Sequence, residues 1–114
     1  LARLSAEDAA RIGSTQRVAV LSADTARKQA VRHPEITPSE YLAAQRVVDQ
    51  AQHRIDQGAN RLIYIREEGT AETGYVLVVK AVLEDGELFI VSFYRLSRDE
   101  AQRDREIRRL LKKG

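Results

Sequence analysis

The alternation of apolar and polar positions is sharpest in residues 75–95, YVLVVKAVLEDGELFIVSFYR. Two runs rich in β-branched residues flank Glu84-Asp85-Gly86-Glu87. Asp-Gly between such runs predicts a two-residue type I′ hairpin turn, because that turn needs positive φ at both central positions. The register follows from the turn. Leu83 is expected opposite Leu88, Ala81 opposite Ile90, Val79 opposite Ser92 and Leu77 opposite Tyr94. On the other face Val82 meets Phe89, Lys80 meets Val91, Val78 meets Phe93 and Val76 meets Arg95. Both faces are largely apolar, which places the hairpin centrally or under cover on both sides. Lys80, Ser92 and Arg95 interrupt the pattern, and a lysine in Val-Val-Lys-Ala-Val needs a route to water or an anionic partner.

The remaining patterns are mostly helical. Ser5 is a cap for a short helix that stops at Gly13, and residues 1–17 read as a linker or a preceding helix. Residues 18–21, VAVL, form a short apolar run, an edge-strand candidate. Ser22 caps ADTARKQAVRH, and Pro34 closes that helix at or before His33. Thr37-Pro38-Ser39-Glu40 has a capping threonine, proline at the first helical position and glutamate at the third. The helix it opens is expected to run to Gly58, with Tyr41, Ala44, Val48, Ala51 and Ile55 as its stripe and Leu42 on another side. Residues 61–67, RLIYIRE, are the next strand, and residues 69–74 a loop back to the hairpin. Ser97-Arg98-Asp99-Glu100 opens a terminal helix reaching Lys113, with Ile107, Leu110 and Leu111 as its stripe. The expectation is an α+β domain. N-terminal helices pack on a small antiparallel sheet of three to four strands around the central hairpin, and a C-terminal helix follows.

Composition narrows the function classes. At 114 residues the chain holds one core, so residues 1–114 are read as a single domain. The net charge of +2 permits an acidic or nucleic-acid partner without announcing one. With no Cys there are neither disulfides nor thiolate metal sites. No apolar run approaches a membrane span, and no signal-peptide pattern is present. There is no Met, even at position 1, so the chain reads as excised from a longer protein or processed. Glycine-rich phosphate loops, His-Glu-x-x-His and G-x-S-x-G are absent, and two histidines without a carboxylate pattern make a poor metal site, so no cofactor is expected.

The candidate chemical residues each have two readings. His33 is either a helix C-terminal cap or a proton-transfer group, a role that imidazole suits near neutral pH. Lys80 is either a snorkelling lysine or a phosphate-binding cation. Ser92 is a small residue under a helix, Tyr94 a core residue and Arg95 a strand-end ion-pair partner, unless they serve a site. Lys28 and Arg32 read as a solvated helix face, and His53 as solvent-facing on the long helix. Taken together, Lys, His, Ser, Tyr and Arg without metal or carboxylate dyad form the inventory of metal-independent RNA cleavage. There the ribose 2′-hydroxyl attacks its own phosphate with help from a base, an acid and cations.

The succession LSADTARKQAVRHPEITPSEYL, RLIYIREE and YVLVVKAVLEDGELFIVSFYR resembles the barnase–EndoU–colicin–RelE-like nuclease domains of phage Mu F-type minor head proteins and bacterial polymorphic toxins. The resemblance covers residues 18–95. It implies helices followed by a four-stranded antiparallel sheet, and a metal-independent ribonuclease or a decayed relative. It implies His33, Lys80, Arg95, Ser92 and Tyr94 as catalytic residues, with Lys28, Thr25 and Tyr41 binding substrate. In the expected register Lys80 and Arg95 share one face while Ser92 and Tyr94 share the other, so a single site needs a β-bulge or a strand-end location. Without either, Lys80 with Arg95 is the half to keep, as two cations that meet phosphate. The implied partner is RNA, such as tRNA, together with an acidic immunity protein if the domain is a toxin, and no membrane. A delivered toxin would act in the cytoplasm of a target bacterium, and a phage-head domain would stay with the particle. A non-catalytic protein- or nucleic-acid-binding module is the alternative, and it gains if His33, Lys80 and Arg95 do not converge on one cleft.

Overall fold

The computed structural model describes residues 2–67, 74–82 and 86–112. In chain order the elements are β1 (Ala2–Arg3), α1 (Ala6–Arg11), β2 (Val18–Val20) and α2 (Ala23–Arg32). A 3₁₀ helix (Pro38–Ala43) runs into α3 (Ala44–Gln50). Then come β3 (His53–Gln57), β4 (Arg61–Glu67), β5 (Gly74–Ala81), β6 (Leu88–Arg95) and α4 (Glu100–Leu111). The strands form a six-stranded sheet in the order β1-β2-β6-β5-β4-β3. The α+β class holds, but the expected sheet of three to four antiparallel strands is corrected to six strands of mixed direction. The parallel pair is β2 with β6.

Two short local readings account for the difference. The long helix expected from Thr37 to Gly58 ends at Gln50, and Ala51 is extended (φ −60°, ψ 132°). His53, Arg54 and Ile55 lie on a strand, paired with Ile65, Tyr64 and Ile63 of β4. Leu62, Ile63, Tyr64 and Ile65 are all buried, so β4 cannot be left as a sheet edge. Pairing it with β3 satisfies its backbone, and that tertiary gain overrides the helical stripe. Gln52 extends the ladder through its side chain, donating to the Glu67 carbonyl and accepting from the Glu67 N–H. Likewise the segment 1–17, expected to be a linker or a preceding helix, supplies β1, so β2 is not an edge: it lies between β1 and β6.

The caps follow local chemistry more closely. The Ser5 hydroxyl accepts from Asp8 N–H, and the Ser22 hydroxyl from Thr25 N–H. Asp99, rather than Ser97, caps α4 by accepting from Gln102 N–H. Residues 2–12 pack into the domain, with Ala2, Leu4, Ala9 and Ile12 buried.

The sheet buries both faces. One carries Leu62, Tyr64, Leu77, Val79, Ala81, Leu88, Ile90 and Phe93, clustered with Leu4, Ile12, Ala44, Val47 and Val48. The other carries Ile55, Ile63, Ile65 and Val76, clustered with Leu96 and Ile107, and Leu110 of α4 packs against it. The fully buried Tyr64 sends its hydroxyl to Asp8 Oδ2 at 2.9 Å. Burial first, then Asp8, raises the Tyr64 pKa, so the phenol stays a donor.

The central hairpin departs from its expected register twice. Ala81 pairs with Leu88 and Val79 with Ile90, so the strands close two positions earlier than a two-residue turn allows. Val82 N–H donates to Glu87 O, and Gly86 N–H donates to Val82 O. Gly86 takes the left-handed conformation (φ +73°), while residues 83–85 lie outside the described residues. A shift of two keeps every side chain on its expected face. The second departure does not. Val78 pairs with Ser92, so Val91 is an extra residue in β6, a β-bulge. Beyond it the faces exchange. Ser92 and Tyr94 join Val76, Val78 and Lys80, while Phe93 and Arg95 join Tyr75 and Leu77.

On the face of Tyr75, Leu77 and Phe93, Arg95 is committed. Its Nε donates to Glu40 Oε2 and its Nη2 to Glu40 Oε1, both at 2.7 Å, and Nη2 also reaches the Glu35 carbonyl. Tyr75 Oη (3.0 Å) and Thr37 N–H (3.0 Å) donate to the same carboxylate. This clamp ties the start of the 3₁₀ helix and the His33-Pro34-Glu35 turn to the end of β6. The Arg95 hydrogen bond is the main cause holding the Glu40 carboxyl down to about 2 from 4.5, with Thr37 and Tyr75 adding to it.

Two predictions follow from these contacts. With its folded pKa depressed, Glu40 contributes stability that is complete above about pH 4.5 and is lost as pH falls toward about 2. Glu40→Gln is expected to cost about 1–3 kcal/mol at neutral pH and to flatten the acid limb of the thermal midpoint; parallel acid limbs in variant and wild type would refute the assignment. Gly74 opens β5 where an added Cβ would fall on the Arg66 carbonyl oxygen and crowd Glu67 Cα at 2.9 Å. Gly74→Ala is expected to cost about 1–3 kcal/mol in urea unfolding, because backbone must move to admit it.

Candidate nucleic-acid interface

The exchange of faces at Val91 brings part of β6 under α2. Helix α2 is held there by Gln29, 5% exposed, whose Nε2 donates to the Phe93 carbonyl and to Tyr41 Oη at 3.2 Å. Tyr41 in turn lies 5.2 Å from the Phe93 ring. Between α2 and the sheet is a cleft of about 370 Å³, lined by Thr25, Lys28, Gln29, Arg32, His33, Gln57, Arg61, Val78, Val91 and Ser92. Four of these side chains are basic and none is acidic.

Several bases outside the cleft meet acids: Arg11 with Asp56 at 2.5 Å, Arg27 with Asp24, Arg54 with Asp8 at 3.5 Å, and Arg95 with Glu40. Among the described residues Lys28, Arg32 and Arg61 have no ion pair. Lys80 is half-buried, pairs with Arg61 across β4 and β5, and likewise lacks a carboxylate partner. Two adjacent cations on one sheet face repel, and a bound anion would relieve that repulsion. A larger cavity, about 420 Å³, opens beside α1, but its Asp8, Arg11 and Arg54 are already matched to one another.

His33 is the only imidazole in the cleft. It caps α2, its N–H donating to the Gln29 carbonyl at 2.7 Å. Its ring stacks on Tyr94, with centroids 5.0 Å apart and planes within 14°. Its Nδ1 lies 3.5 Å from Glu35 Oε1. Burial first, then the Glu106 charge, raises the Tyr94 pKa, so the phenol stays neutral. Tyr94 borders a separate recess with Glu106, Arg109 and Leu110.

Of the residues singled out in the sequence, Thr25, Lys28, His33 and Ser92 therefore share one cleft. Tyr94 supports it from beneath the imidazole, and Lys80 lies beyond Val78, beside Arg61. Tyr41 lies on the other side of Gln29. Arg95 lies on the opposite face, so the expected pairing of Lys80 with Arg95 is corrected: the bulge separates them. His53, expected to be solvent-facing on a helix, is half-buried on β3. Arg61 and Gln57 were not singled out. Arg61 continues the period-two face of Ile63 and Ile65, but its place opposite Lys80 needs the sheet register. Arg32 follows Lys28 by four residues and Thr25 by seven, one helix face, and that spacing is visible in the sequence.

Among the described residues no group of three His, Asp or Glu side chains converges as a metal site, and no helix is long and apolar enough to cross a membrane. No protein-family model matches the chain, and no curated protein or solved structure matches it either.

Proposed function

We propose that this domain is a metal-independent endoribonuclease acting on single-stranded RNA, with its scissile phosphate in the cleft between α2 and the sheet. The observation that carries the reading is the set of unmatched cations around that cleft, Lys28, Arg32 and Arg61, gathered about one imidazole. The resemblance to the barnase–EndoU–colicin–RelE-like nuclease domains supports the same reading.

The chemistry uses few groups. His33 Nε2 accepts the proton of a ribose 2′-hydroxyl as that oxygen bonds to the adjacent phosphorus. The bond from phosphorus to the 5′-oxygen breaks, and the departing oxygen takes a proton from His33 or from solvent. The products are a 2′,3′-cyclic phosphate and a free 5′-hydroxyl. Lys28, Arg32 and Arg61 neutralise the charge that builds on the phosphorane oxygens, with Lys80 beside them. Ser92 offers a hydroxyl to the phosphate, and Tyr94 fixes the plane of the imidazole. An acidic protein seated over the same cations would inhibit the reaction.

The second reading is a non-catalytic RNA-binding module. It is favoured by the separation of Arg95 from His33 and Lys80, and by the presence of a single imidazole in the cleft.

Incubation with total RNA in EDTA tests the proposal. The expected outcome is cleavage leaving cyclic phosphate ends, reduced about 10²–10⁴-fold by His33→Ala. Lys28→Ala and Arg61→Ala should each weaken RNA binding and reduce its salt dependence. RNA left intact at micromolar protein, yet retained on the protein, would replace the nuclease with the binding module.

A further inference from the structure

A second cavity adjoins the cleft, and its character is opposite. It measures about 340 Å³ and its walls are mainly apolar, including Leu21, Ala26, Ala30, Ile36 and Tyr41. Helix α2 separates the two spaces. Thr25, Lys28 and Arg32 line the cleft, Ala26 and Ala30 line the second cavity, and Gln29 and His33 border both. His33 is the C-terminal cap of that helix, so the two spaces meet around the helix end.

We propose that this apolar cavity receives the nucleobase on the 5′ side of the scissile phosphate. The proposal rests on the phosphate reading of the cleft. In a ribonucleotide the 2′-hydroxyl lies between the base and the 3′-phosphate. A base in the apolar cavity and its 3′-phosphate among the cations therefore set that hydroxyl at the boundary between them, where His33 stands. A flat ring with apolar faces suits aliphatic walls that include the Tyr41 ring, and base stacking on such a ring adds to affinity. The buried Gln29 uses its Nε2 on Tyr41 and Phe93, which fixes its amide at the inner end of the cavity.

NMR titration of the whole chain in EDTA tests this, with inorganic phosphate and the four nucleoside 3′-monophosphates as probes. Phosphate is expected to shift amides at Lys28, Arg32 and Arg61. At least one nucleotide should bind about tenfold tighter than phosphate or more and also shift Ala26 and Ala30. Ala26→Leu and Ala30→Leu each narrow the cavity. Either one, with an unchanged thermal midpoint, should erase the nucleotide's advantage and leave phosphate binding intact, whereas Lys28→Ala should weaken both ligands. Equal binding of phosphate and all nucleotides, or an advantage that survives both leucine variants, would overturn the base site while the phosphate cleft stood. No shift in the cleft with any probe would overturn both.

Discussion

One inserted residue decides which side chains look into the cleft. Strand side chains alternate strictly, so an odd insertion reverses every position beyond it. Val91 is that insertion. Without it Phe93 and Arg95 would face α2, and Ser92 and Tyr94 would be driven into the core occupied by Val47 and Leu62. With it, a large apolar ring enters the core, a hydroxyl enters the cleft, and a tyrosine ring lies under His33. The Phe93 carbonyl, two residues past the bulge, is also the acceptor that anchors Gln29 and with it the whole of α2.

The two arginines show how the same charge serves opposite ends. Arg95 has its guanidinium held by a carboxylate and a carbonyl, and it acts on the site through the Glu35 turn it holds. Arg61, at the start of β4, pairs across the strands with Lys80, and among the described residues neither has an ion pair. The first arrangement lowers the energy of the fold. The second offers no such gain, because two cations, Arg61 exposed and Lys80 half-buried, share one sheet face across a rigid ladder. Unrelieved charge of this kind is what an anionic ligand exploits.

Much of the local structure was legible in residue types. Ser5 and Ser22 cap the helices they precede because a hydroxyl satisfies an orphan N–H within three residues. The apolar runs of β4, β5 and β6 could only be buried strands. The failures share one cause, which is that the deciding partner is distant in sequence. His53 to Gln57 leaves the helical pattern because β4 needs a neighbour. Val91 bulges without any glycine or proline to announce it. The site was half visible for the same reason. Thr25, Lys28 and His33 sit on one helix and its cap, where spacing reveals a shared face, whereas Arg61 and Gln57 join them only through pairing across strands. Arg95 looked like a phosphate ligand beside Lys80 only while the strand was assumed regular.

The union of α2 with β6 has a consequence for biosynthesis. The contact that seats the helix joins Gln29 to Phe93, 64 positions apart, and β2 likewise waits for β6 as its parallel neighbour. Contacts of such separation are slow to close. During translation α2 emerges before β6, with its lysine and arginine face but without the strand that seats it. The floor of the cleft arrives only when β6 has followed α2 out of the ribosome, so a nascent chain interrupted between them would carry the cations of α2 without the groove.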